Sequence, residues 1–168
     1  MYETNRLILR KAVFSDWEQM YRNVWCHWET ARYMLWAVTE SEAAAKERME
    51  RTIAFQQSHH AWLVVEKESG KAIGFAGLRE ESGVCEDTGI AVGPRYVGKG
   101  YGTEILNELV RIAKEGLNAH GFIATCRSEN EASRKMILGC GFRFSHAEPR
   151  VDKRNGEKYT LEFYRKEL

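Results

Sequence analysis

The spacing of apolar residues in the first third of the chain predicts a strand followed by two helices. Ser15 with Glu18, and later Thr39 with Glu42, have the spacing of capping boxes, in which the two side chains satisfy each other's backbone N–H groups at a helix start. We therefore expect Ser15 and Thr39 to act as N-caps. The predicted elements are a strand at Arg6–Arg10 and helices over 15–24 and 43–57.

The pattern changes in the middle of the chain, where three short strands separated by turns predict an antiparallel meander. A helix with apolar residues near period 3.6 follows, and then a strand, a helix that Gly141 closes, and two strands joined by an Asn155–Gly156 turn. The predicted strands are 61–67, 71–79, 85–92, 121–127, 142–151 and 158–166, and the predicted helices are 102–118 and 130–140.

This order of elements, β-α-α-β-β-β-α-β-α-β-β, predicts a single α+β domain over 1–168. We expect a mixed, mostly antiparallel central sheet with flanking helices. A length of 168 residues is typical of one core, and no linker, repeat or low-complexity segment divides the chain.

Composition excludes several function classes. Hydrophobic residues make up 43% and charged residues 29%, which is a normal globular mixture. A net charge of +1 gives no basic excess for nucleic acid, so no nucleic-acid partner is expected. Apolar runs such as 61–65 are too short to cross a bilayer, and the N-terminus lacks the apolar core of a signal peptide. We expect a cytoplasmic protein without membrane or metal.

The cysteines show no metal or redox pattern. The four residues, Cys26, Cys85, Cys126 and Cys140, form no Cys-x-x-Cys pair and have no histidine at zinc-ligand spacing. Reduced thiols used as small apolar residues are therefore expected. A nucleophilic Cys126 stays open, although no activating histidine is evident.

A glycine-rich turn carries the candidate chemistry. It lies within 93–103, between the third strand of the meander and the strong helix. Gly98, Gly100 and Gly102 let the backbone approach a ligand closely, and the free N–H groups of the following helix point at that ligand. A helix start of this kind is a site for an anion such as a pyrophosphate.

Three other interpretations of this turn are open. A Walker A loop would need Ser or Thr where Gly100 stands, in order to hold magnesium for an NTPase. A dinucleotide loop would need G-x-G-x-x-G after a strand of a parallel unit, whereas Gly98, Gly100 and Gly102 have a different spacing. A turn without any ligand is the third alternative.

The same segment resembles a known family. Arg95-x-x-Gly98-x-Gly100 is similar to the [Q/R]-x-x-G-x-[G/A] signature of the GNAT superfamily of N-acetyltransferases, and Gly98–Glu104 looks like its RimJ/RimL-type branch. Asn130-x-x-Ser133 followed by Gly141-Phe142, and the opening strand within 4–10, resemble the same branch. The likeness covers essentially the whole chain in order.

The resemblance implies acetyl-CoA as acyl donor, and an amine acceptor. The strand before the glycine turn would separate from the strand after the helix, and the pantetheine arm would lie in that gap against the backbone of Ile90 and Val92. Backbone amides of the turn would hold the pyrophosphate. Arg95 and Lys99 would add charge, and the alternative for both is a solvated loop without a phosphate contact. The turn amides belong to Val97, Gly98, Lys99, Gly100, Tyr101, Gly102 and Thr103.

The resemblance also implies a base in the strand before the turn. Asp87 stands at the position where the family often has Glu. Glu86 and Glu81 are rivals, and the alternative for the acidic residues there is that they only solvate a hairpin. A base matters because a lysine-like amine is almost fully protonated at neutral pH, whereas an α-amine is neutral about one part in ten.

The resemblance further implies an acid for the leaving thiolate. Where many relatives have Tyr, this chain has Ile137, so Ser133 of the Asn-x-x-Ser motif is the candidate, with Tyr101 as the alternative. Asn130 would cap the helix and contact the cofactor. A helix-capping hydrogen bond is the non-catalytic interpretation of Ser133.

The acceptor side is less informative. Aromatic and histidine residues around the first two helices can line an acceptor pocket or simply pack in the core: Trp25, Trp28, Tyr33, Trp36, His59 and His60. The chain is thus expected to be an acetyl-CoA-dependent N-acetyltransferase acting on a primary amine of a protein N-terminus or small molecule. A catalytically weak CoA-binding sensor or scaffold is the alternative, and a homodimer is possible.

Overall fold

A computed structural model describes residues 1–168, and an eight-stranded sheet forms its centre. The strands are β1 (Tyr2–Glu3), β2 (Leu7–Arg10), β3 (His60–Glu66), β4 (Ala72–Glu81), β5 (Val84–Val92), β6 (Gly121–Arg127), β7 (Arg143–Val151) and β8 (Lys158–Glu167). Their order in the sheet is β1-β2-β3-β4-β5-β6-β8-β7. All neighbouring pairs are antiparallel except β5 with β6, which is parallel, so the predicted mixed sheet is confirmed.

Five α-helices flank the sheet. They are α1 (Trp17–Met20), α2 (Trp28–Ala31), α3 (Glu42–Ser58), α4 (Tyr101–Arg111) and α5 (Glu131–Gly139), and α1 and α4 continue as π-helical turns at Tyr21–Trp25 and Ile112–Gly116. Short 3₁₀ turns occur at Phe14–Asp16 and Pro94–Tyr96. The main predicted helices and strands are confirmed, whereas β1 and α2 are too short to stand out in the sequence pattern.

Two apolar clusters lie on opposite faces of the sheet. Val64 belongs to the cluster under α4 and α5, while its neighbours Leu63 and Val65 belong to the cluster under α1 and α3. Successive strand side chains point to opposite faces, so a strand covered on both faces is apolar throughout. This explains the uninterrupted apolar run of β3.

The parallel pairing of β5 with β6 is short. It covers only Val84–Gly121, Cys85–Phe122 and Glu86–Ile123. The register of β5 against β4 shifts just beyond this point, because Gly77 pairs with Gly89 and Leu78 with Asp87. From Asp87 onward β5 therefore has a ladder partner on one side only, and a cleft opens between β5 and β6.

Both predicted capping boxes are wrong in detail. Asp16 rather than Glu18 reaches back, since its Oδ2 accepts the N–H of Val13 at 2.9 Å and its Oδ1 accepts from Arg10 Nη2 at 2.7 Å. Helical structure there begins before Ser15, at Phe14. The carboxylate of Asp16, paired with Arg10, thus takes the place of the predicted Ser15–Glu18 capping box.

The second cap lies two residues later than expected. Ser41 has an extended backbone, and its Oγ accepts the N–H of Ala44 at 3.1 Å, so α3 begins at Glu42. The Thr39 hydroxyl is buried and instead accepts from Arg48 Nη1 at 3.0 Å.

The strand β7 forms an exposed edge of the sheet. Phe144 and Val151 on it are more than half exposed. The homodimer stays a prediction, as does the cytoplasmic location. None of the helices is long and apolar enough to cross a membrane.

Candidate active site

The glycine turn opens directly into the N-terminus of α4. Gly98 and Gly100 have φ values of 76° and 80°, in the left-handed region that favours glycine. Gly100 is the N-cap residue of α4, and no side chain caps the helix. The first-turn N–H groups of a helix have no intrahelical acceptor, so those of α4 can bind an anion as the sequence predicts.

A clamp from the N-terminal segment holds this turn in place. Arg6 Nη1 donates to the carbonyl oxygen of Lys99 at 2.9 Å, and its Nε donates to Glu104 at 2.7 Å. Thr4 Oγ1 donates to the same carboxylate, and the Arg6 guanidinium lies 4.5 Å from the Tyr101 ring centroid. The roles of Thr4, Arg6 and Glu104 were not deduced from the sequence, although Thr4 and Arg6 lie in the opening motif.

The two predicted cationic side chains of the turn are exposed. Arg95 makes no ion pair, and Lys99 lies 5.4 Å from the ring centroid of Tyr96 without a carboxylate partner. Both are therefore free to approach a phosphate bound at the start of α4.

The cleft between β5 and β6 is a cavity of about 420 Å³. It brings together four of the predicted site residues, Asp87, Ile90, Asn130 and Ser133. Two predicted alternatives, Glu86 and Cys126, also line it, as do Thr125 and Tyr159, which the sequence motifs did not mark. Val92 and the glycine turn lie outside its lining. Long-range pairing of β8 with β6 places Tyr159 here, so no local signal points to it.

Asp87 lies where β5 and β6 separate. Its Oδ2 accepts the backbone N–H of Thr125 at 2.8 Å. This N–H group lies beyond the last ladder pair of β5 with β6 and is satisfied by the Asp87 side chain. Burial raises the pKa of Asp87 to about 7, with the neighbouring charge of Glu86 acting in the same direction and the N–H groups of Thr125 and Gly89 opposing it. A carboxylate with this pKa exchanges protons near neutral pH.

The other predicted carboxylates are less suited to act as a base. Glu86 forms an ion pair with Arg79 at 2.7 Å. Glu81 ends β4 at an exposed hairpin and does not line the cleft. The solvated-hairpin interpretation fits Glu81, whereas Glu86 lines the cleft as a partner of Arg79.

Ser133 lies on the first turn of α5 and faces the cleft. Asn130 is the N-cap of that helix as predicted, because its Oδ1 accepts the N–H of Ser133 at 3.2 Å. That bond uses the Ser133 backbone and leaves the hydroxyl for other partners.

Two predicted alternatives for the chemistry fail on geometry or charge. The Tyr101 hydroxyl donates to the buried Glu66 at 2.6 Å, so it cannot act as the acid in the cleft. Burial, the largest effect, raises the pKa of Cys126 to about 11, which keeps its thiol neutral and unsuited to act as a nucleophile.

A larger cavity of about 930 Å³ lies between α3 and strands β3 and β4. Its walls are rich in aromatic rings: Trp25, Trp36, Phe55, Trp62 and Phe75. Four residues line both cavities, namely Trp36, Phe75, Thr88 and Gly89, so the two meet beside Asp87. Of the aromatics predicted for an acceptor pocket, Tyr33 lines only the cleft, whereas Trp28, His59 and His60 line neither cavity.

A buried ion cluster supports the loop that carries Trp36. Asp152 is 2% exposed and accepts from Arg127 at 2.8 Å and Arg154 at 2.7 Å. Arg154 Nη1 also donates to the carbonyl oxygens of Ala31 at 2.9 Å and Trp36 at 2.7 Å. The β7–β8 turn thus fixes a loop that borders both cavities.

No group of three or more His, Cys, Asp or Glu side chains is placed to hold a metal ion. The candidate site consists of a helix start with uncapped N–H groups, a cleft along a free strand edge, and a second cavity that joins the cleft at Thr88 and Gly89.

A family model described as "Acetyltransferase (GNAT) domain" matches residues 6–143. This chain belongs to the GNAT acetyltransferases. The match contains the opening strand, the glycine turn and α5, which are the segments that carried the resemblance.

Relatives and solved structures agree with this family. An N-acetyltransferase of Bacillus licheniformis, p20, is 26% identical over 145 residues, which is 83% of this chain and 80% of the relative. A GNAT acetyltransferase from Bacillus anthracis has a TM-score of 0.84 at 20% identity, covering 98% of this chain and 96% of that one. RimL, the ribosomal L7/L12 α-N-protein acetyltransferase, in complex with coenzyme A, has a TM-score of 0.81 at 17% identity over 98% and 96%.

The GNAT protein is thus an acetyltransferase that uses acetyl-CoA as acyl donor. The likeness to RimL is consistent with the RimJ/RimL-type branch. The free edge of β5 and the uncapped N–H groups at the start of α4 are the features that the resemblance predicts for the donor site, which stays a prediction here.

Proposed function

We propose that this protein transfers the acetyl group of acetyl-CoA to a primary amine by direct attack, at the junction of the two cavities. The observation that carries the proposal is that Thr88 and Gly89 line both cavities next to a carboxylate with a pKa near 7. The donor enters along the cleft and the acceptor through the larger cavity. Their reacting groups meet at the bulge of β5.

The pyrophosphate binds at the start of α4, where amides from Val97 to Thr103 face it and Arg95 and Lys99 add positive charge. The pantetheine arm lies along the free edge of β5, against the backbone of Ile90 and Val92. A backbone N–H of β5 polarises the thioester carbonyl and stabilises the negative charge that develops on its oxygen.

Asp87 is proposed as the general base. The neutral amine nitrogen attacks the thioester carbon, the C–S bond breaks, and the amine proton passes to Asp87 directly or through a water. A base with a pKa of about 7 is better matched to an α-amine, with a pKa near 8, than to a lysine side chain, with a pKa near 10.4. This favours protein N-termini and small amines of low pKa as acceptors.

Ser133 is proposed to protonate the departing CoA thiolate and then to recover a proton from solvent. Tyr159 is the rival, because it lines the same cleft and carries a hydroxyl. Comparison of Ser133→Ala with Tyr159→Phe distinguishes them: the variant of the true acid lowers kcat without weakening acetyl-CoA binding. If both variants keep wild-type kcat, the thiolate leaves without protein assistance.

The function is tested by calorimetric titration with acetyl-CoA, CoA and ATP–magnesium, followed by thiol release with a panel of amines. The proposal expects binding of acetyl-CoA and CoA, no magnesium-dependent ATP binding, and thiol release with at least one amine class. Acetyl-CoA binding without transfer to any amine would instead support a CoA-binding sensor or scaffold.

A further inference from the structure

The larger cavity contains a cation without a counter-ion. Arg48 on α3 lines the cavity, and no carboxylate lies within ion-pair distance of it. Its only protein acceptor is the Thr39 hydroxyl, which takes one hydrogen bond from Nη1 at 3.0 Å. A half-buried guanidinium is normally paired, because removing a charge from water costs free energy that a partner must offset.

Aromatic rings hold this guanidinium in a fixed orientation. Its Cζ lies 4.6 Å from the ring centroid of Trp25 and 4.3 Å from that of Trp36. The two rings contact the face of the guanidinium plane, so the N–H groups of Nε and Nη2 at its edge are left for hydrogen bonding. A fork edge of this kind matches the two oxygens of a carboxylate or phosphate.

A second unpartnered donor belongs to the same wall. The indole Nε1 of Trp36 is buried and has no hydrogen-bond acceptor in the protein. Buried donors without an acceptor are rare in folded proteins, and each one calls for an explanation. Apart from its bond to Thr39, the Arg48 guanidinium has N–H groups without an acceptor, as does the Trp36 indole, and both residues line the larger cavity.

The remaining charges of the cavity do not neutralise Arg48. Burial, the larger effect, and the charge of the exposed Arg51, one turn along α3, together lower the pKa of Arg48 to about 10. Glu40 also lines the cavity but is exposed and forms no ion pair with Arg48. The guanidinium stays charged at neutral pH and lacks an anion.

We propose that the larger cavity binds an acceptor that carries an anionic group as well as its amine, with the anion on Arg48 and the amine directed toward Thr88 and Gly89. This inference rests on the proposed function, since it names the substrate class of the same site. A carboxylate or a phosphate can supply the anion, and the aromatic walls accommodate an apolar body between anion and amine.

Equilibrium binding tests the anion site without any need for turnover. The probes are N-acetylated amino acids of small, aliphatic and aromatic side chains, each compared with its uncharged carboxamide, and N-acetylated phosphoethanolamine compared with N-acetylethanolamine. Quenching of tryptophan fluorescence reports binding, because Trp25 and Trp36 contact the proposed site.

At least one anionic probe is expected to bind about tenfold or more tightly than its neutral partner, as befits a charge-assisted hydrogen bond. The pair that shows the difference tells whether the anion is a carboxylate or a phosphate. Equal binding of every charged and neutral pair, or no binding of any probe, would overturn the proposal.

Arg48→Gln is the matched variant, and it is expected to reduce the discrimination to less than about twofold. Arg48→Lys keeps the charge and should retain part of the discrimination between anionic and neutral probes. Arg51→Gln, on the exposed rim, should retain most of that discrimination. Acetyl-CoA affinity, which depends on the other cavity, is unchanged in a correctly folded variant. If Arg48→Gln binds acetyl-CoA normally and still discriminates fully, the assignment to Arg48 is wrong.

Turnover separates this inference from the proposed function. With amine acceptors in the same acid and amide pairs, Arg48→Gln should raise KM for the acid and leave kcat almost unchanged, since Arg48 contacts a group remote from the reacting amine. Selective anion binding with no transfer to any amine would support the anion site at Arg48 and contradict the acetyltransferase mechanism. Transfer without preference for acids would support the acetyltransferase mechanism and contradict the anion site.

Discussion

The carboxylate of Asp87 accepts a hydrogen bond from the backbone N–H of Thr125 at 2.8 Å, across the point where β5 and β6 separate. One side chain therefore bridges the first unpaired position of the cleft and faces the cavity in which the donor is proposed to bind. A bridging role and a proton-accepting role are both consistent with this position. An isosteric amide separates the two roles, because it can still bridge the strands but cannot accept a proton.

Asp87→Asn retains an oxygen that can accept from Thr125 but cannot take a proton from the amine. We expect kcat/KM to fall by about 10²- to 10⁴-fold while acetyl-CoA affinity stays at the wild-type value. Glu86→Gln, on the preceding residue of β5 and outside the proposed mechanism, is the control and should change kcat/KM only slightly. Wild-type turnover in Asp87→Asn would show that Asp87 only bridges the strands.

The raised pKa of Asp87 predicts the pH profile. A base works only when deprotonated, so kcat/KM should rise with pH through about 7 and then level off. The measurement uses an acceptor amine whose own pKa lies below this range, so that its ionisation does not contribute. In Asp87→Asn this rising limb should disappear, and an unchanged limb would assign it to another group.

Gly98→Val tests the donor site. Both Gly98 and Gly70 have positive φ, 76° and 67°, and a Cβ added to either meets no atom within 4 Å. Each substitution should therefore cost a similar free energy of unfolding, about 1–3 kcal/mol, through backbone strain alone. Only Gly98→Val should weaken acetyl-CoA binding in calorimetry, by about tenfold or more. Equal loss of affinity in Gly70→Val would point to general destabilisation.

Asp152→Asn tests the support of the Trp36 loop. It leaves Arg127 and Arg154 without their carboxylate, and we expect the free energy of unfolding to fall by more than it does for an exposed pair, and KM for the amine to rise. Glu148→Gln, which removes an exposed pair with Arg150, should cost less than about 1 kcal/mol. Chemical denaturation measures both.

The pH dependence of this cluster has a defined sign. Hydrogen bonds from Arg154, and then from Arg127, hold the pKa of Asp152 well below its usual value. Its stabilisation is therefore complete above the unfolded-state pKa near 4 and is lost as the pH falls below that value. Wild-type stability should decline there more steeply than that of Asp152→Asn.

The sequence predicts the features that depend on local pattern. The glycine turn, the cap by Asn130 and the strand order of the meander follow from residue types within a few positions of one another. The capping boxes at Ser15 and Thr39 were wrong because nearby residues, Asp16 and Ser41, offer acceptors that satisfy the same N–H requirement.

Features that depend on distant pairing were not predictable. Arg154 reaches the carbonyl of Trp36, which lies 118 positions earlier, and Tyr159 enters the cleft only because β8 pairs with β6. The role of the Tyr101 hydroxyl depends on its hydrogen bond to Glu66, which lies on a distant strand, β3. Likewise, the environment of Asp87 arises from the separation of two strands more than thirty positions apart.

The most direct test of the account measures free CoA thiol and acetylated amine together, with and without a primary amine present. Direct attack predicts no thiol release and no covalently acetylated protein in the absence of amine, and equal amounts of thiol and acetylated amine in its presence. Tight binding of acetyl-CoA with no thiol release for any amine, or a stable acetylated protein before amine is added, would contradict it.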